Sequence, residues 1–339
     1  MNQRQCSREW IERTLRHEPS GPVPYNFSFS PPAQRLAESH YGTPLEDRLD
    51  LPLRMVGPKS VKPLYADPGE YGETLADEFG VVWSTSERDR GSPVGPCLPE
   101  STLSGYTFPD PSAAYRFAHL DEWCALREGH YRLLWVGDLW ERATFMRGME
   151  ALMTDVVLAP GFADALLRGL ADYLLQTMAL LFDRFAFEGI AVSDDYGTQQ
   201  ALVLSPTHWR KLIKPRLAEI YALAKQNGRT VFHHSCGNVT EIVGDLVDLG
   251  LDLLHPLQPE AMDLAWLKRE FGKHLTFCGG VPTQTLLVHG CPEDVRREVR
   301  RLKTDMGGDG GYILEPGITL QADVPLENLI ALIDEAREP

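Results

Sequence analysis

The sequence predicts an α/β protein: a (β/α)8 TIM barrel with an N-terminal helical and hairpin elaboration, forming one domain over residues 1–339. Three observations predict it. From about residue 130, short β-rich apolar runs alternate with longer runs whose apolar residues recur at three and four spacing, the pattern of parallel strands joined by helices. At least five such units lie in the C-terminal two-thirds, and N-terminal strand candidates bring the count near eight. Ionisable residues also recur at the C-terminal ends of successive strands, where barrel enzymes carry their working groups. An open doubly wound sheet fits less well, since no G-x-G-x-x-G follows a strand.

Each element has its own warrant. "SREWIERTLRHE" (7–18) predicts a short helix opened by Ser7, and "VPYNFSFSPP" (23–32) a strand stopped by Pro31 and Pro32. Residues 34–60 mix short helix and loop, and "EFGVVWSTSERDRGSPVGP" (78–96) fits a β-hairpin with an exposed turn. Residues 106–129 lead through prolines into a helix. Strands over 131–139, 189–197, 230–237, 251–259, 275–281 and 311–317 then alternate with helices over 160–189, 205–228, 239–250, 262–272, 292–307 and 325–338. Gly228, Gly250 and Gly272 fit helix C-caps. "GGDGG" (307–311) lies between a helix and a strand, at the bottom of a barrel, and is read as a turn and not a phosphate loop.

The net charge is −15, from 33 basic and 48 acidic side chains, which disfavours nucleic-acid backbone binding. The charged start lacks the apolar core of a signal peptide, and no apolar run approaches a membrane span. A cytoplasmic protein with reduced thiols is expected, its six cysteines (Cys6, Cys97, Cys124, Cys236, Cys278 and Cys291) being scattered without a disulfide framework.

The chemistry is sought at the strand ends. "TVFHHSCGNV" (230–239) places His234 and Cys236 two apart, so on a strand they point the same way, while His233 packs behind. Imidazole and thiolate suit Zn2+, but two ligands do not hold it, and a strand-end pair without metal is the plainer alternative. Cys278 is a soft third candidate; Glu260 and Glu315 are harder ones. Asp194 and Asp195 adjoin and point to opposite sides, so one faces the mouth as a general acid or base, or binds a cationic substrate. A helix cap or an arginine partner is the alternative for each. Tyr196, Gln258 and Glu260 are candidates for orienting a substrate.

"SDDYGTQQALVLSPTHWRKLIKPRLAEIY", "HHSCGNV", "DLGLDLLHPLQPEAMD", "LTFCGGVPTQ" and "GGYILEPGITLQADVPLENLIALIDEA" together resemble the uroporphyrinogen decarboxylase superfamily, whose fold is a (β/α)8 barrel. The arginine-rich loop by which haem-pathway decarboxylases hold substrate carboxylates is replaced by "PVPYNFSFSPPAQR". The resemblance therefore points to the branch of corrinoid-dependent methyltransferases. It implies a zinc-dependent enzyme moving a methyl group between methylcobalamin and a thiol or a methylated or methoxylated compound. It implies zinc on His234 and Cys236 and allows a homodimer. Thiol-acting members add a later cysteine in P-G-C, where this chain has Pro316-Gly317-Ile318, so Cys278 is the substitute considered. No D-x-H-x-x-G occurs, which assigns the cobalamin to a separate corrinoid protein. A metal-independent decarboxylase or lyase acting on a small carboxylate is the alternative. Neither reading calls for a nucleic acid or a membrane.

Overall fold

The computed structural model describes residues 3–18 and 21–339, with side chains from residue 7, so the side chain of Cys6 lies outside the described residues. Seven parallel strands form one sheet in the order β1 (Leu53–Val56), β5 (Tyr131–Asp138), β6 (Gly189–Ser193), β7 (Thr230–His234), β8 (Leu253–Leu257), β9 (Thr276–Val281) and β10 (Tyr312–Pro316). A separate antiparallel sheet joins β2 (Thr74–Ala76), β3 (Val82–Ser84) and β4 (Pro93–Gly95). The predicted hairpin is therefore the β3–β4 part of a three-stranded unit.

The parallel sheet curls. Leu53, Tyr131, Leu133, Ala191, Phe232, Leu253, Cys278 and Ile313, drawn from all seven strands, form one buried cluster with Ile11 of the first helix (Gln3–Leu15). Strands buried on both faces give the near-continuous apolar runs seen in the sequence. Residues 24–30 run beside the β10 edge of this wall and form no strand, joined to it by isolated bridges, Tyr25 to Leu314 and Phe29 to Leu320. A strand was expected there. Pro24, Pro31 and Pro32 lack the N–H groups a full ladder needs. Conversely, β1 lies within the stretch expected to be helix and loop; its Arg54 is buried because Leu51, Leu53 and Glu46 carbonyls and Asp47 accept its guanidinium protons.

Two helices need correction against the sequence pattern. The one expected over 205–228 divides at Ile213 into Pro206–Leu212 and Lys214–Gln226, with Pro215 in the first turn of the second. Helix Pro160–Phe182 is long and apolar enough to cross a membrane, with a mean hydropathy of 1.3, which the sequence reading overlooked. Its Leu166, Leu170, Leu174 and Leu181 are buried within the fold, and Asp164, Arg168 and Asp172 lie off that stripe. Gly228 and Gly250 adopt left-handed φ values of 67° and 94° at helix ends, but Gly272 stays right-handed at −64°. The 307–311 glycines form the expected turn before β10.

Candidate metal centre

Side-chain parity builds the site. Along β6 and β7 the inward residues Ala191 and Phe232 belong to the apolar inner cluster. Two residues on, the same face carries Ser193 and His234; two further, Asp195 and Cys236. Strand register then sets the level, pairing Ser193 with His234 and His234 with His255. The inward wall is thus apolar below and ionisable at its C-terminal rim.

Asp195, His234 and Cys236 bring one ligand atom each within 4.8 Å of one another. His234 Nε2 lies 3.4 Å from Asp195 Oδ1 and 3.5 Å from Cys236 Sγ. Tetrahedral zinc bonds of about 2.0–2.3 Å set donor separations of about 3.4–3.6 Å, so the two His234 contacts match the ion in spacing and the donor set suits it in chemistry. Three protein ligands leave one position for a reactant. Burial opposes ionisation of Asp195, but the hydrogen bond and charge of His234, the Cys236 amide at 2.8 Å and Arg90 hold its carboxyl down at about 2. Burial likewise opposes protonation of His234, yet Asp195 and Cys236 raise it to about 10. Without an ion, then, a proton occupies the place of the cation.

The loop after Cys236 is fixed by backbone contacts. Gly237 has φ +79°, and a Cβ there would sit 2.4 Å from the Gly197 carbonyl carbon. Its amide donates to Gln258 Oε1 at 2.5 Å. The Gln258 side-chain oxygen thus braces the backbone leaving Cys236. Glu260 Oε1 accepts from the Gln284 amide at 3.0 Å.

The two aspartates separate. Asp194 is fully buried; Oδ1 accepts from the Leu139 and Glu141 amides at 3.0 and 2.8 Å, and Oδ2 from the Tyr196 hydroxyl at 2.8 Å. It anchors the start of helix Trp140–Arg147, and burial pushes its carboxyl well above the usual range. Tyr196, expected to orient a substrate, stacks on His233 at 5.5 Å in the wall. His233 faces outward, with Nδ1 2.7 Å from the Tyr221 hydroxyl and a buried Nε2 that has no hydrogen-bond partner.

The carboxylate grouped with His234 and Cys236 is Asp195, while Cys278 and Glu315 group with His255. Cys278 is buried, 3.0 Å from Glu315 Oε2, in a second group with His255. His255 Nε2 is 3.6 Å from Glu315, and its Nδ1 is 2.9 Å from His234 Nδ1. Burial, with Glu315 beside it, pushes the Cys278 thiol well up. Ile318, where related thiol-acting enzymes place cysteine, is 41% exposed beyond the strand end. At the rim, Arg90 of the β3–β4 turn pairs with Glu141 at 2.7 Å, and Arg142 with Asp77 at 2.7 Å and Asp138 at 3.5 Å. These pairs tie the small sheet to the open end. Sequence reasoning did not group Asp195 with His234 and Cys236, nor place His255 beside His234. A strict two-residue count upward from Ala191 and Leu253 finds both.

The sequence profile of the uroporphyrinogen decarboxylase (URO-D) family matches residues 137–339. The methylcobamide:CoM methyltransferase MtaA of Methanosarcina barkeri is 28% identical over 145 residues, 42% of this chain and 40% of that protein. A uroporphyrinogen decarboxylase of Thermus thermophilus is 27% identical over 141 residues, 40% of this chain and 38% of that protein. The chain thus spans about two-fifths of the length of the curated relatives it matches. The solved structure of a methyltransferase from Methanosarcina mazei superimposes with a TM-score of 0.72 at 18% identity, covering 97% of this chain and 98% of that one, and so shares its fold. With its profile matched from the end of β5 to the C-terminus, this chain belongs to the uroporphyrinogen decarboxylase family.

Proposed function

We propose that this chain is a methyltransferase working with a separate corrinoid protein, moving a methyl group between methylcobalamin and a small substrate at a zinc ion held by Asp195, His234 and Cys236. One observation carries the reading: a nitrogen, a sulfur and an oxygen donor converge within 4.8 Å of one another at the rim of the curled sheet, the nitrogen 3.4 and 3.5 Å from the other two. The likeness to a relative named as a methylcobamide:CoM methyltransferase supports it.

Bound zinc supplies Lewis acidity, which lowers the pKa of a coordinated thiol into the neutral range. The chain's own residues prepare the place. Asp195 accepts the Cys236 amide, so two donors are fixed relative to each other through the backbone. His255 meets His234 at Nδ1, which turns Nε2 toward the cluster. Gln258 holds the Gly237 amide and so the backbone leaving Cys236. The Trp135 ring, 6.5 Å from that of His234, supplies an apolar wall.

Zinc binding and methyl transfer from methylcobalamin to a panel of thiols test the reading. His234→Ala and Cys236→Ser should each lose the ion at this site and reduce transfer at least about 100-fold, more than an outer-shell substitution costs. Full transfer by metal-free protein would overturn it. The family's metal-independent decarboxylase chemistry is the second reading, supported by the 27% likeness to a decarboxylase. Activity that survived Cys236→Ser but not Asp195→Asn would favour it.

A further inference from the structure

We propose that the rim carries a second site for a soft divalent cation, formed by His255, Cys278 and Glu315. One ligand atom from each lies within 4.8 Å of the others, again an imidazole nitrogen, a sulfur and a carboxylate oxygen. They stand on three consecutive strands, β8, β9 and β10, and not on loops. This site is deeper than the first: Cys278 belongs to the inner apolar cluster and Glu315 is 3% exposed.

Two observations point to an occupant. Among the described residues, no lysine or arginine pairs with Glu315. Its neighbours are Cys278 Sγ at 3.0 Å, Asn26 Nδ2 at 3.4 Å, Ser28 Oγ at 3.5 Å and His255 Nε2 at 3.6 Å. A buried carboxylate without a fixed cation calls for a proton or a metal. In addition, Asn26 Oδ1, on the side chain that touches Glu315, is buried without a hydrogen-bond partner. It is an oxygen acceptor left over on a side chain that touches the group, and orphaned acceptors of this kind are rare in folded proteins. The Cys278–Glu315 distance is shorter than the roughly 3.6 Å that zinc bonds set between oxygen and sulfur, so loading moves these two atoms apart as the thiol gives up its proton.

The two sites meet at the 2.9 Å contact between His234 Nδ1 and His255 Nδ1. The two rings share this contact, so an ion at one site changes the affinity of the other and two ions bind in unequal steps. None of this requires methyl transfer.

Cobalt(II) titration of the full chain, read by thiolate-to-cobalt absorption, tests the inference because each site holds one cysteine. Wild-type protein should take up two ions in two steps. Cys236→Ser should keep one ion with a thiolate band, Cys278→Ser should keep the other, and the double variant neither. Loss of the whole band in Cys236→Ser, with a full wild-type band in Cys278→Ser, would overturn the second site. The reverse result would overturn the first site and leave the second standing. Glu315→Gln provides a check that spares both thiols: it should weaken only one step, by at least about tenfold, and two unaltered steps would count against the second site.

Discussion

Asp194 and Asp195 adjoin, as do His233 and His234, yet each pair divides between two environments. The outward members, Asp194 and His233, are fully buried against helices and engaged with Tyr196, Tyr221 and backbone amides. The inward members, Asp195 and His234, meet each other at the rim. Burial lowers His233 to about 3, whereas the Asp195 and Cys236 neighbours raise His234 to about 10 against the cost of its own burial. The same side chain on the same strand is thus kept neutral on one face and charged on the other. Chemical identity does not separate wall from site; the supply of compensating charge does.

Breaking the outward face should have the larger effects. His233 is neutral when folded, with its affinity for a proton held at about 3 against an ordinary value of 6.5. Between these values the unfolded chain binds a proton that the folded chain does not, so stability rises with pH. This contribution is fully present above pH 6.5 and is lost as pH falls toward 3, at about 1.4 kcal/mol per pH unit and roughly 5 kcal/mol in all. Urea unfolding of metal-free protein between pH 4 and 6 should show a slope smaller by one proton in His233→Phe than in wild type. Asp194→Ala comes next. It strands two amides and a hydroxyl and should cost roughly 3 kcal/mol or more in the same measurement; Asp194→Asn, which keeps an acceptor, should cost less. The smallest effect sharpens the inward side. Gln258→Ala should leave the fold intact but weaken first-site zinc binding about tenfold, read by competition with a chelator, because the Gly237 amide loses its acceptor.

The sequence made β5 to β10 legible because strands buried on both faces are written as apolar runs. It hid β1, whose Arg54 is compensated by carbonyls contributed from the preceding turn. It overstated residues 23–32, where prolines remove ladder donors. At the site, the spacing of two made His234 and Cys236 readable as a pair. The choice between Asp194 and Asp195 depended on the phase of β6, which an uninterrupted apolar run does not reveal. The grouping of His255 with Cys278 and Glu315 depended on register among three strands, a property of pairing and not of any one segment.

The segment at residues 24–30 closes the comparison differently. Elsewhere the curled wall is laddered along whole strands, but here it is fastened at two points. Asn26 and Leu314 donate to Leu314 and Pro24, and Ser30 and Leu320 donate to Leu320 and Ser28. Asn26 and Ser28, the two residues that reach Glu315, lie on this sparsely fastened stretch. The wall therefore has a seam, and one lip of it touches the deeper cluster. Strain or thermal motion along that lip reaches Glu315 without passing through any other strand, while Asp195 and Cys236 stand four and three strands away in the sheet order.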